Sequence, residues 1–257
     1  MSAAPLSGRG ILIARPRERA TQLAERVRAA GGEPILFPTI EILPPDDPAT
    51  LARVVESLDV FDLAIFVSPT AATKAGELVG KRRAWLAALR VAAVGAGTAA
   101  ALRRLGFESV IAPEEDADSE ALAALPEMRR LHGQSVVIFR GQGGREWLRE
   151  ELERRGARVE YAECYRRARP AANVGPLIER WKRGEIDAVS TASAEGLANL
   201  FEMLGPAGVE LVRATPLFVP HRRIAAAAVR LGMREAIVTG RGDEQAVAGM
   251  AAFFARV

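Results

Sequence analysis

The sequence predicts an α/β protein of two domains, built by duplicating one unit, and three observations carry that expectation. Its 257 residues suffice for two cores of ordinary size. Ile11 to Gly31 lies over Val136 to Gly156 at a constant lag of 125 residues. Short apolar runs alternate with helical patterns along both copies, which is the signature of parallel sheets covered by helices.

The repeat matches Arg15 with Arg140, Leu23 with Leu148 and Glu25 with Glu150. Without a gap it also carries Pro45 onto Pro170, Asp62 onto Asp187 and Ser68 onto Ser193, so the duplication spans whole units. In the first copy, strands are expected near Ile11–Ala14, Leu63–Val67, Val91–Val94 and Ser109–Ala112. After the first strand, Ala20, Leu23, Ala24, Val27 and Ala30 recur at helical spacing until Gly31-Gly32 stops the helix. Pro34 to Pro45 and its copy Val159 to Pro170 break the pattern. The proline density of the first argues for extended connectors rather than central strands, two crossings between domains and a ligand cleft beside them.

Composition closes several classes. Apolar residues make up 49% and charged residues 26%, as in a soluble globular protein. No apolar run reaches bilayer length, and Met1 to Gly10 lacks the features of a signal peptide, so a cytoplasmic location is expected. Cys164 is the single cysteine, and with only His132 and His221 beside it there is no ligand set for a soft metal. The net charge of +3 rests on arginine, the better bidentate partner of carboxylates, although most arginines are expected on solvated helix faces.

Ligands of open parallel sheets bind outside the carboxyl ends of the strands. That rule selects Arg15-Pro16, Ser68-Pro69-Thr70, Gly95 to Thr98, Arg140 to Arg145, Thr191 to Ala194, Pro220 to Arg223 and Thr239 to Arg241. Backbone amides at the helix starts that follow can hold an anion; the same residues also serve as plain caps and turns. Gly95-Ala96-Gly97-Thr98-Ala99-Ala100, with Glu115 twenty residues on, matches a dinucleotide fingerprint and keeps an NAD-binding oxidoreductase in view. Its position late in the unit, and the lack of glycines in the copy at Pro220 to Ala225, count against it. No hydrolytic triad stands out, and neither strand-end serine lies in a nucleophile elbow of the form G-x-S-x-G.

Ile13-Ala14-Arg15-Pro16, Phe66-Val67-Ser68-Pro69-Thr70-Ala71, Val94-Gly95-Ala96-Gly97-Thr98 and Ala162-Glu163-Cys164-Tyr165-Arg166-Arg167 resemble loops of the uroporphyrinogen-III synthase family, as does Phe218-Val219-Pro220-His221-x-x-Ile224-Ala225. The resemblance implies two flavodoxin-like domains on two connectors, residues 1–37 with 167–257 and residues 38–166. It implies a cofactor-free, metal-free monomer acting on hydroxymethylbilane, a linear tetrapyrrole with eight carboxylates. A transient contact with the preceding pathway enzyme is part of that expectation; nucleic acid and membrane are not.

By the same resemblance Tyr165 is the catalytic candidate, a proton donor to the departing hydroxyl, while a hinge or core role stays open for it. Ser68, Ser193 and Thr98 match family positions that contact substrate. The strand-end rule adds Arg15, Pro69, Thr70, Gly97, Arg140, Gly141, Gly143, Ala194, His221 and Arg222 as substrate-binding candidates. Pro220-His221-Arg222-Arg223 replaces a glycine-threonine loop of many relatives, which leaves the second copy of the Thr98 role open. A non-catalytic tetrapyrrole-sensing module is the remaining alternative.

Overall fold

A computed structural model describes residues 4–86, 88–114 and 118–256, the side chain of Glu18 excepted. The chain runs β1 (Gly10–Ala14), α1 (Arg17–Ala29), β2 (Glu33–Leu36), β3 (Glu41–Leu43), α2 (Pro48–Glu56) and β4 (Leu63–Phe66). It continues through α3 (Pro69–Gly80), β5 (Arg90–Ala93), α4 (Ala96–Arg104), α5 (Ser119–Ala124), β6 (Ser135–Gly141), α6 (Trp147–Arg154) and β7 (Arg158–Ala168). It ends with α7 (Gly175–Lys182), β8 (Ala188–Thr191), α8 (Ala194–Ala214), β9 (Leu217–Val219), α9 (Arg222–Arg230), β10 (Ala236–Val238) and α10 (Asp243–Phe254). Gly205, at φ 56°, and Pro206 break α8 into two helices.

Two compact units form, Met1–Glu41 with Ala168–Val257, and Ile42–Arg167. The first holds a sheet of order β2-β1-β8-β9-β10, with every neighbouring pair parallel. Taken in the unit's own chain order this is 2-1-3-4-5, the flavodoxin-like doubly wound arrangement. In the second unit β7-β6-β4-β5 reproduces it at the lag of the repeat, with β3 added outside β7.

Both faces of each sheet are covered, which is why the strands read as unbroken apolar runs. In the first unit Ile11, Ile13, Ala188 and Phe218 pack with Ala20, Leu23, Ala246 and Met250 of α1 and α10. Leu12, Ala14, Val189, Leu217 and Val219 face the other way, onto α7, α8 and α9. In the second unit Phe66 and Phe139 stack at 4.7 Å beneath α3 and α4, with Trp85 edge-on to both.

One polar device occurs twice. Asp187 accepts the Gly10 N–H at 2.8 Å and pairs with Arg9 at 2.9 Å, and its copy Asp62 accepts the Ser135 N–H at 2.8 Å. Each carboxylate thus occupies the first amide of the neighbouring strand. Asp187→Ala is expected to cost about 1–3 kcal/mol, because it strands a charged partner and an amide, and the more exposed Asp62→Ala less. Chemical denaturation of both variants checks the order.

Two expectations need correction. Ser109–Ala112 gives only a single bridge, Ile111 to Ala92, because Pro113 follows at once and cannot donate to a ladder. Val159–Pro170 is no mere connector: β7 is an interior strand between β6 and β3. At the repeat lag Pro34, Pro38 and Pro44 become Val159, Glu163 and Arg169, so only Pro170 survives, beyond the strand's end. The proline-rich first copy does stay at sheet edges, as β2 and β3. No helix among the described residues is long and apolar enough to cross a membrane.

Candidate functional site

At the carboxyl end of the second unit's sheet, β4 runs into Ser68, whose extended backbone and Oγ cap α3 by accepting the Ala71 N–H at 3.0 Å. Pro69 occupies the first helical position, where its missing N–H costs nothing, and Thr70 follows in the same turn. After β5, Gly95 opens α4, which places Gly97 and the buried Thr98 in the first turn. A Cβ on Gly97 would stand 3.7 Å from Pro69 Cγ, so the two helix starts are neighbours. The dinucleotide fingerprint therefore follows an edge strand rather than the central β6, and Glu115 lies outside the described residues.

Tyr165 is the centre of this end of the unit. Strict alternation along β7 would put it on the face of Tyr161, which packs with the α5 and α6 layer. The register shifts between Arg140 and Gly141, which pair with Glu163 and Tyr165, so two residues of β7 pass for one of β6. This bulge turns Tyr165 into the opposite layer, where it is 6% exposed. Its hydroxyl lies 3.2 Å from Ser68 Oγ, and its carbonyl accepts the Gln142 N–H at 2.7 Å. Ser68 Oγ accepts from Ala71 and keeps a second lone pair and its own proton, so either hydroxyl of the pair can donate to the other. The ring fits only because residue 141 is glycine, since a Cβ there would stand 2.6 Å from Tyr165 Cζ.

A cavity of about 250 Å³ opens here, and Ser68, Arg140, Gly141, Gly143, Tyr161 and Tyr165 are among its walls. Pro69, Thr70, Gly97 and Thr98 stand outside it. A larger cavity, about 570 Å³, lies at the other end of β5 around Trp85, Leu105 and Phe107, so size alone does not choose the site. Next to the phenol, burial pushes the Cys164 thiol up to about 12, which leaves it a packed apolar group rather than a nucleophile.

Arg140 is 4% exposed and its guanidinium is taken up by the loop it begins. Nε donates to Gly141 O at 3.2 Å, Nη2 to Gly143 O, and Nη1 to Glu146 at 3.0 Å, while the guanidinium lies 4.3 Å over the Tyr161 ring. Tyr161 in turn donates to the other Glu146 oxygen at 2.8 Å. That hydrogen bond, with Arg140 behind it, holds the Glu146 carboxyl below its usual range. Burial and the same bond push the Tyr161 phenol up to about 12.

The first unit presents the copy of this arrangement without the phenol. Arg15 follows β1, pairs with Asp243 at 2.5 Å and reaches Ser190 Oγ at 3.4 Å; its Nε is buried with no partner among the described residues. Ser193 caps α8 through the Gly196 N–H at 2.9 Å, with Ala194 first in the helix. Around Gly196 three hydroxyls converge, Ser193, Thr39 and Thr191, each 3.1 to 3.3 Å from where a Cβ would sit. His221 caps α9, its Nδ1 accepting the Arg223 N–H at 3.1 Å, with Arg222 exposed beside it. At the repeat lag Ile40 stands in place of Tyr165. The hydroxyl pair therefore belongs to one copy alone.

Sequence reasoning had not singled out Tyr161, Glu146, Asp243 or Thr39. Arg140 and Arg15 hinted only at Glu146 and Asp243, since an arginine buried at a strand end requires an acidic partner; nothing pointed to Tyr161 or Thr39.

A family model described as uroporphyrinogen-III synthase HemD matches residues 21–248. The chain belongs to the uroporphyrinogen-III synthase family. Among its relatives, the uroporphyrinogen-III synthase of Escherichia coli K12 is 30% identical over 92% of this chain and 97% of its own length. That of Salmonella typhimurium LT2 is 33% identical over the same shares. The family fold is likewise shared: a mutant uroporphyrinogen III synthase of the extreme thermophile Thermus thermophilus superposes with a TM-score of 0.65 at 20% identity, covering 97% of this chain and 100% of that one. The Helicobacter pylori 26695 enzyme gives a TM-score of 0.55 at 12% identity, with coverage of 95% and 99%.

Proposed function

We propose that this chain is a uroporphyrinogen-III synthase, a cyclising lyase of tetrapyrrole and heme biosynthesis that closes hydroxymethylbilane with loss of water and inversion of ring D. The observation that carries the reading is the family match along residues 21–248, joined to a phenol–hydroxyl pair in a strand-end cavity of one unit.

The chemistry asks little of a cofactor. The C–O bond of the hydroxymethyl group breaks, and oxygen leaves as water with a proton from the Tyr165 hydroxyl. The azafulvene cation that remains is attacked by the substituted carbon of ring D, giving a spiro intermediate. This fragments and recloses through the other α-carbon of that ring, and the proton released on rearomatisation restores the phenol. With its proton turned to the phenol oxygen, 3.2 Å away, Ser68 makes a hydrogen bond that strengthens as the phenol's own proton departs; in the resting pair either hydroxyl can donate. The protein's larger share is to hold the flexible chain so that this attack outruns the unaided one.

The strand-end loops offer groups for the substrate's carboxylates: Ser68, Thr70, Gly97 and Thr98 in one unit, with Pro69 shaping the turn, and Arg15, Ser193, Ala194, His221 and Arg222 in the other. Gly141 and Gly143 shape the seat of the phenol. A substrate that closes spontaneously favours short transit, so we place the enzyme in the cytoplasm as a monomer in transient contact with the enzyme that supplies it.

Tyr165→Phe is expected to slow turnover by roughly ten- to a hundredfold without abolishing it, since general-acid help is a limited factor and the substrate ionises unaided. Initial rates against fresh substrate check this; wild-type kinetics would return Tyr165 to a packing role.

A further inference from the structure

The mechanism above uses Tyr165 and Ser68 and leaves a second, more elaborate polar cluster on the cavity wall unused. Arg140 is almost fully buried, yet all three of its nitrogens are directed at protein: two at backbone carbonyls of the loop that follows, one at Glu146. Tyr161 holds the second Glu146 oxygen at 2.8 Å and offers its ring to the guanidinium. The loop so held needs the help. Gly143 and Gly144 both adopt positive φ, 71° and 105°, and a Cβ on Gly144 would stand 3.0 Å from Arg140 Nη2.

From this geometry, and resting on the assignment of Tyr165 above, we propose that Arg140, Glu146 and Tyr161 are positioning residues. They clamp the Gly141–Gly144 loop against Tyr165, and Arg140 is not a direct ligand of a substrate carboxylate. The link from clamp to phenol is short. Gly141 is the residue against which the Tyr165 ring lies, and Gln142 donates its N–H to the Tyr165 carbonyl. A loop released from Arg140 lets the bulge relax, and with it the 3.2 Å approach of the phenol to Ser68. Three of the five guanidinium N–H groups are taken by two carbonyls and a carboxylate, one face lies on Tyr161, and the residue is 4% exposed, so the group is turned into the protein rather than toward a second carboxylate. Glu146 stands where such a ligand would bind.

The test compares Tyr161→Phe, Glu146→Gln, their double variant and Arg140→Lys in the full chain, with hydroxymethylbilane as substrate. Tyr161→Phe and Glu146→Gln are each expected to lower kcat about three- to tenfold with KM held within about twofold, because they act through geometry rather than binding. The double variant should lose less than the two single losses combined, since both changes weaken the same Tyr161–Glu146 contact. Arg140→Lys keeps the charge but not the fork and should fall at least as far in kcat.

A second readout needs no activity. Amide exchange at Gln142 should quicken about fivefold or more in Glu146→Gln, as its bond to Tyr165 loosens. A raised KM with unchanged kcat in Arg140→Lys would make Arg140 a substrate ligand and overturn the proposal. Additive losses in the double variant, or unchanged exchange at Gln142, would overturn it as well. If Arg140→Lys does not fold, Tyr161→Phe decides, since it removes one oxygen from a half-buried ring. Should Tyr165→Phe prove wild-type, the underlying reading fails, while exchange at Gln142 still reports on the clamp itself.

Discussion

Fresh hydroxymethylbilane incubated with this protein alone gives mainly the type III isomer, where the unaided reaction gives type I. The expectation follows from where the barrier lies. The reactive cation forms by simple loss of water and closes without help, so the enzyme is required not to create reactivity but to choose between two carbons of one ring. A tenfold preference needs only about 1.4 kcal/mol between the competing transition states. Orientation of a bound, flexible chain supplies that many times over. Neither a nucleophilic Cys164, whose thiol is pushed up to about 12, nor a dinucleotide at the Gly95 loop has a part in this scheme. Added metal, nucleotide or flavin should therefore leave the product ratio unchanged. After oxidation to the porphyrins, chromatography resolves the isomers. A ratio equal to that of the enzyme-free control would sink the synthase reading even if substrate were bound.

Much of this architecture was legible because duplication prints itself in the sequence. Once Ile11 to Gly31 is laid on Val136 to Gly156, one unit's strands and helices predict the other's, and the buried strands announce themselves as apolar runs. Edge and interior strands were harder to tell apart. Proline marks β2 and β3 as edge strands, but β7 lost those prolines in the copy and became an interior strand, a change visible only residue by residue.

The strand-end rule found Ser68, Arg140, Gly141 and Gly143, and the family resemblance found Tyr165; the five share one cavity, and neither route says how they meet. What the residues could not show is the bulge opposite Arg140 and Gly141. A bulge changes a side chain's face through hydrogen-bond register, and register is a property of two strands, not of one sequence. The same holds for Arg140. Its type suggested an anion, and its actual partners, Glu146 and Tyr161, come from elements six and twenty-one residues away.

Gly141→Ala should be more damaging to turnover than Tyr165→Phe. The phenylalanine variant leaves the ring in its seat and removes one oxygen, whereas a methyl at residue 141 would stand 2.6 Å from Tyr165 Cζ and 3.0 Å from its hydroxyl. Neither side can yield cheaply. Tyr165 is 6% exposed and held at both ends, by Ser68 through its hydroxyl and by Gln142 through its carbonyl, while Arg140 grips the carbonyl of Gly141 itself. The added methyl must therefore drive the phenol off Ser68. Displacement of a reacting group by about 1 Å is enough to cost on the order of a hundredfold, and overpacking adds about 1–3 kcal/mol of lost stability. Rates and denaturation midpoints for Gly141→Ala, Tyr165→Ala and the double variant separate the two effects. In the double variant the truncated residue 165 makes room for the methyl, so the stability lost should be less than the sum of the single losses while activity stays low. A Gly141→Ala protein that turns over like wild type would mean that the phenol tolerates displacement, and Tyr165 would then lose its place as the proton donor.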